Sequence, residues 1–429
     1  MSTVCDCTVI SGSCGIYWGA YFFRSKGDVT ITKETTLSPV TVDSFGVTDQ
    51  RVNTVKHTIS FTPSGMTSPV LAPSNDLNTI FARFATVGSE PQPGQSLFKW
   101  QTVNITAYAS ADAGAATTIT IASTAGMVVG QYVTIAGSST ATYNGTWRIG
   151  AVTSSTQLKL EVAYTTDPTT DGTLSFSDAL VIHPLFQSGG TEKIITFQNV
   201  ALTTLPSLTF NATDTALGAV TFTAIYHRKL DSVDVDALVD YRAWSAPAAG
   251  LLDDFIPEAI LTVPPLMRYG AASVNAWGPS DPVAAPWKSF CTANGATVNF
   301  SLGTAEHVVD TCGLVDIKCT DLNITVTAQP VGELMTDEEI QKVLLQQDMG
   351  GSYEGRRRGQ SMKAATPMEL QVRIDSIDGA FDLVFPSTSV SAGGANYGIT
   401  TMRNADITWQ ALRTFSGGVR QPLFEIVTP

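Results

Sequence analysis

The side chains able to do chemistry are few in this chain, and their spacing points to no reaction. Four histidines, His57, His183, His227 and His307, are scattered through segments that alternate apolar and polar residues, the pattern of packed strands. A general base or a metal ligand needs a partner at a defined spacing, and none accompanies them. Cys5-x-Cys7 has the spacing of a zinc-gripping thiol pair, but no second Cys or His pair follows to complete four ligands. Asp231, Asp234, Asp236 and Asp240 are dense enough for a calcium loop yet lack its glycine and its terminal bidentate glutamate. The spacing predicts instead a short helix with Val235, Leu238 and Val239 inward and a solvated acidic face. Asp253-Asp254 and Asp337-Glu338-Glu339 are paired acids of the kind sugar hydrolysis needs, but the first sits in a spacer and the second at a helix cap. No GxSxG elbow, no phosphate-binding GxxxxGK loop and no HExxH occurs. The expectation is a protein with no catalytic residues, no metal site and no cofactor.

One basic run stands out, Arg356-Arg357-Arg358, in a chain of 25 Lys and Arg against 38 Asp and Glu, net −13. A field of that sign repels nucleic acid, so the run is read as an inter-subunit contact to acidic neighbours, with a DNA contact as the alternative. Six cysteines in 429 residues are no disulfide framework; Cys312 and Cys319 are expected as small buried apolar residues. Met1 is followed by no signal-peptide pattern and no run reaches the length of a membrane helix, which predicts a protein assembled in the cytoplasm without a membrane.

The elements that would hold these residues repeat. Residues 42–65 return at 309–332 without a gap, sharing Val42/Val309, Asp43/Asp310, Gly46/Gly313, Asp49/Asp316, Thr58/Thr325, Pro63/Pro330 and Gly65/Gly332, a constant spacing of 267 as from Val42 to Val309. Identities at glycine, proline and acidic positions go beyond shared strand composition and predict a tandem duplication. Gly94-Gln95-Ser96 recurs as Gly359-Gln360-Ser361, the 180–184 stretch is matched to 382–386, Ile195-Thr196 to Ile399-Thr400, and Thr209-Phe210 to Thr414-Phe415. The spacing is 265 at Ser96 but 202 at Leu180, so the first copy carries 63 additional residues in between. In the second copy this place reads as a hairpin turning at Asp378-Gly379, and the insert is expected at the matching hairpin tip, between runs 102–109 and 173–184.

The resulting fold class is mainly β: two tandem sandwich or barrel-forming domains, each with one α-helix, plus a small inserted β module. The expected divisions are an N-terminal arm at 1–26, a first domain at 27–228 interrupted by the module at about 110–172, an extended acidic and proline-rich spacer at 229–294, and a second domain at 295–429. The helices are expected at 74–85, from Leu77, Ile80, Phe81 and Phe84 at helical spacing, and after Thr336, where Glu339 completes a capping box. Within the module, strands are predicted at 117–121, 132–135, 147–152 and 158–162, with a turn at Asn144-Gly145.

The order of a strand pair, a long loop, one helix, then strands ending in 194–202 and 218–226 (GAVTFTAIY) resembles the tail tube proteins of long-tailed, siphovirus-like bacteriophages. The resemblance covers both copies and leaves out the spacer and the module. It implies a structural virion protein without enzyme activity, whose β domains form six-membered rings that stack into a tube for DNA ejection. With two domains per chain it implies a homotrimeric, pseudo-hexameric ring and an acidic channel through which double-stranded DNA slides without specific binding. It also implies tail tip and tail terminator proteins as partners. The rival readings are a surface decoration or host-binding β protein acting through the inserted module, and a glycan-cleaving tail enzyme.

Overall fold

A computed structural model describes residues 10–18, 21–42, 46–63, 92–98, 100–124, 127–187, 193–197, 199–210, 215–224, 239–243, 266–271, 288–309, 313–331, 368–376, 379–392, 406–416 and 418–427. These residues are almost all in strands; the pairings close on themselves in the second half and in an inserted barrel, while the first half is divided between two open sheets. The two expected helices lie outside the described residues.

The second half shows the plan most plainly. The 22-residue strand Lys288–Val309 pairs with Leu266–Ala271, which pairs with Met368–Ser376, then Gly379–Ala392, then Ile407–Ala411, then Gly313–Val331. Gly313–Val331 in turn pairs back onto Lys288–Val309 and closes the circuit. Glu425–Val427 adds to the outside of Gly379–Ala392.

The first half follows the same strand order, but two of its strands are interrupted and the circuit is split into two open sheets. Ile10–Trp18 pairs with Tyr21–Arg24 and with Leu180–Gln187, which pairs with Lys193–Phe197. The path continues through Val200–Thr204, Val220–Ala224 and Gly46–Phe61 to Thr30–Val42. Val239–Ala243 flanks Lys193–Phe197 as Glu425–Val427 flanks its counterpart.

Register makes the comparison exact enough to number. Every pair from Thr30↔Ser60 to Val42↔Gly46 recurs 267 residues later, from Thr297↔Thr327 to Val309↔Gly313. Both bulges recur too: Thr36/Leu37 and Val40/Thr41 in the first hairpin, Gly303/Thr304 and His307/Val308 in the second. A bulge flips the inward-facing parity. Ile317 and Cys319 are buried on one side of the Gly303/Thr304 bulge, and Leu322, Ile324, Val326 and Ala328 on the other. Further round, Phe222↔Ile59 matches Trp409↔Val326, and Leu202↔Phe222 matches Val390↔Trp409. Ile195 then matches Leu383, and Ile182 matches Val372.

These pairings correct several sequence expectations. Residues 10–24, read within an arm, are two strands of the first circuit, and Tyr17 and Trp18 are buried there. Val239 and Asp240, placed in a short helix, are in a strand. The 180–184 stretch corresponds to 370–374, not 382–386; Ile195 corresponds to Leu383, not Ile399; and Val220–Ala224 stands where Ile407–Ala411 stands. The first of these slips is 12 residues, an even number, so it preserved the alternation of faces and the pattern could not detect it. The insert therefore does not occupy a hairpin tip: it precedes the counterpart of the Met368–Ser376 and Gly379–Ala392 hairpin.

The insert is a closed six-stranded barrel in the order Thr173–Ser177, Trp100–Ala111, Ala116–Ile121, Gln157–Leu160, Gly145–Val152, Tyr132–Ala136, with the last strand pairing back to the first. Four of these strands fall where the sequence placed them. The barrel also takes in both flanking runs, which pair from Thr173↔Asn104 to Ser177↔Trp100. Its own core includes Ile119, Ile135, Tyr143, Ile149, Leu158 and Leu174, each fully buried large apolar side chain contributing roughly 1.5–3 kcal/mol. Tyr108 and Tyr143 stack with centroids 4.6 Å apart. Asn144 does not make a two-residue turn; its side chain accepts from Ser138 N–H and donates to Ser138 C=O, closing a longer loop.

A separate core joins the two circuits, running from Ile16, Phe61, Phe197 and Phe222 in the first to Val298, Phe385, Trp409 and Phe424 in the second. Arg373 and Asp382 form a two-point ion pair of 2.9 and 3.0 Å on facing strands of the second circuit, a geometry that satisfies both buried charges.

Gly172 fixes the barrel closure. Its φ is +80°, and an added Cβ would lie 2.6 Å from both Ala136 O and Ser138 N. Gly172→Ala should lower the stability of the chain by about 1–3 kcal/mol, measured as an earlier thermal transition.

Candidate assembly interface

Arg356, Arg357 and Arg358 lie outside the described residues. Among the described residues no group of three His, Cys, Asp or Glu could hold a metal ion. Of the histidines, His57 packs against Phe197 with ring centroids 5.8 Å apart and His183 is buried in its strand. Cys14 and Cys319 are buried, and burial pushes the Cys14 thiol up, helped by the Asp28 charge; a raised thiol is a poor nucleophile. The arrangement that remains is structural, the surface along which the first circuit meets the second.

Three contacts build that surface. The first begins at a turn whose chemistry is legible locally: Gln92-Pro93-Gly94-Gln95 has proline at the second position and Gly94 at φ +85° in the third, as a type II turn requires. Gln95 N–H donates to Gln92 C=O at 2.9 Å to close it. The turn aims the following backbone at the second circuit. Gly94 N–H donates to Cys319 C=O at 2.8 Å, Cys319 N–H donates to Gln95 C=O at 2.8 Å, and Leu97 N–H donates to Ile317 C=O at 2.7 Å. Ser96 Oγ donates to Asp316 Oδ1 at 2.6 Å and accepts from Phe98 N–H at 3.1 Å. Phe98, Ala201 and Ile317 then pack into a small buried cluster.

The second contact is a hairpin of the first half, Leu208–Phe210 with Thr215–Leu217, laid along the second circuit: Leu208↔Val298, Thr209↔Thr297 and Phe210↔Ala296. Gly218 closes it by donating to Ser207 C=O at 2.8 Å. The third is the ion pair of Lys56 with Glu306; both ends are partly exposed, so its contribution is at most about 1 kcal/mol. Strand edges and apolar packing carry the interface, and the charges set its register.

The barrel is tied on at one buried polar hub. Gln101 Nε2 donates to Asp178 Oδ1 at 2.9 Å, Gln131 donates to Ser177 C=O, and the Ser177 hydroxyl pairs with Asn199. Asn199 sits where Lys193–Phe197 and Val200–Thr204 are separated, whereas the matching strand Gly379–Ala392 runs through unbroken.

Sequence reasoning had marked Gly94-Gln95-Ser96 as a repeated triplet without assigning it a contact, and it had no signal for the 208–217 hairpin beyond Thr209-Phe210. No family model matches the chain, and no curated protein is significantly similar to it.

Two outcomes are expected. Phe98→Ala should cost about 3 kcal/mol and speed amide exchange at Cys319, while barrel amides such as Ile119 keep their protection. Burial, reinforced by the Lys33 charge, holds His57 below the ordinary 6.5. The unfolded chain therefore takes up that proton first, so stability is full above pH 6.5 and declines as pH falls through it. Thermal melts of His57→Gln across this range should show a shallower decline than the wild type.

Proposed function

We propose that this chain is a structural protein of a long-tailed bacteriophage, the subunit of a tail tube, and that its two circuits are copies of one ancestral tube domain. Three chains then close a pseudo-hexameric ring, and the rings stack into a tube with an acidic channel for DNA. The tail tip and terminator proteins bind its two ends. The observation that carries this reading is the pair of long hairpins, 30–61 and 297–328, with the same register and the same two bulges in one chain. Among the described residues their bases are paired further into the circuits, at 57–61 and 325–328, and the second ribbon is bridged as well at 317–319 by residues 94–97. A two-stranded ribbon is marginal in water, so ribbons projecting from a core are the parts that neighbours complete.

The charge supports the same reading. A net −13 is unsuited to holding phosphates and suited to letting them pass. A second reading, attachment to a host surface through the inserted barrel, is favoured by one observation: the barrel has a core of its own and, among the described residues, is tied to the rest at the Gln101, Asp178, Ser177 and Asn199 hub. In that case the barrel is the working part.

Negative-stain images of the full chain at rising concentration test the first reading. Filaments with a central channel and three-fold end views are expected; compact particles without a channel would refute it. Replacing residues 100–177 by a short Gly-Ser linker separates the two readings: tubes should still form, whereas a chain that assembles normally but no longer binds host cells would assign the barrel the second role.

A further inference from the structure

We propose that the outer edge of the strand Thr30–Val42 is a docking edge for a second copy of this chain. The second circuit of that copy meets it much as the first circuit meets its own second circuit within one molecule. The inference rests on the equivalence of the two circuits and deepens the reading above by naming where one chain receives the next.

The receiving positions within one chain are 296–298, covered by the Leu208–Phe210 strand, and 317–319, covered by residues 94–97. Shifted by the constant 267 they become 29–31 and 50–52 of the first circuit. There the register is the same, and among the described residues no strand covers it. Thr30–Val42 is the end strand of its sheet, with Gly46–Phe61 on one side and no strand on the other among the described residues. Val298, under its cover, is 0% exposed; Ile31, its counterpart, is 39% exposed, one of the few large apolar side chains that stand open.

An uncovered edge with an exposed isoleucine is a template for strand addition. What fits it is fixed by what already fits the equivalent edge: a short antiparallel strand on a chain of this sequence. The triplet that bridges 317–319 within the molecule occurs a second time as Gly359-Gln360-Ser361, so the sequence holds a second copy of a segment whose first copy makes this contact. Lys33, where the second circuit has Phe300, keeps the edge soluble before docking. Each chain then has one receiving and one donating side, a head-to-tail contact that propagates until it closes.

The test uses the full chain with Ile31→Asp and the milder Ile31→Thr, which keeps a β-branched residue on the strand. Sedimentation velocity over a concentration series, with circular dichroism and thermal melts as fold controls, is the readout. The wild type should associate. Ile31→Asp should remain monomeric with unchanged dichroism, and Ile31→Thr should need about tenfold more protein to associate. If Ile31→Asp loses the fold, the Ile31→Thr shift decides. Assembly of both variants at the wild-type concentration, or a wild type that stays monomeric throughout, would overturn the proposal. Electron microscopy separates it from the tube reading. Association that depends on Ile31 but yields particles without a channel keeps the edge and removes the tube; tubes indifferent to Ile31 keep the tube and remove the edge.

Discussion

A strand edge exposes a row of N–H and C=O groups, and almost everything in this molecule follows from how those rows are paired. Closing six strands into a circuit disposes of most of them inside the second half, and the first half arranges the equivalent strands in two open sheets. What the circuits leave open is handled by direct backbone contact: residues 94–97 against 317–319, and the 208–217 hairpin against 296–298. The junction between halves is thus made of the same interaction as the halves themselves. It needs no dedicated chemistry, in keeping with the scarcity of reactive clusters among the described side chains.

Apolar packing then fixes which edges meet. The shared core from Phe61 and Phe222 to Trp409 and Phe424 makes the two circuits one body. In the second ribbon the Gly303/Thr304 bulge sets where the buried face changes sides, from Leu322 and Ile324 before it to Ile317 and Cys319 beyond it. Retaining two bulges at matching sites in both hairpins ties a local backbone irregularity to a shape that both halves need.

The sequence carried the mainly β class and the strongest repeat, the latter because it rests on glycine, proline and acidic residues at fixed places in a continuous hairpin. Barrel strands such as Ala116–Ile121 and Gly145–Val152 were legible from alternation bounded by small polar turns. Alternation failed where it is degenerate: a slide by an even number of residues leaves faces unchanged, which is why 180–184 was matched to the wrong partner. It also hid the strands at Ile10–Trp18 and Leu266–Ala271, which are short and set among cysteines, aromatics and prolines. Their strand state comes from a neighbour distant in sequence, Leu180–Gln187 for one and Met368–Ser376 for the other. The candidate interface was only half legible, since the Pro93-Gly94 turn announces itself while its target at Ile317 does not.

The first and last strands of the barrel lie side by side, Trp100 opposite Ser177. To the host domain the whole insert is therefore a single point of attachment with neighbouring entry and exit. Such a socket is indifferent to its cargo: any autonomous fold whose ends come together could be exchanged into it. That makes this position a ready port for grafting a foreign domain whose two ends lie together.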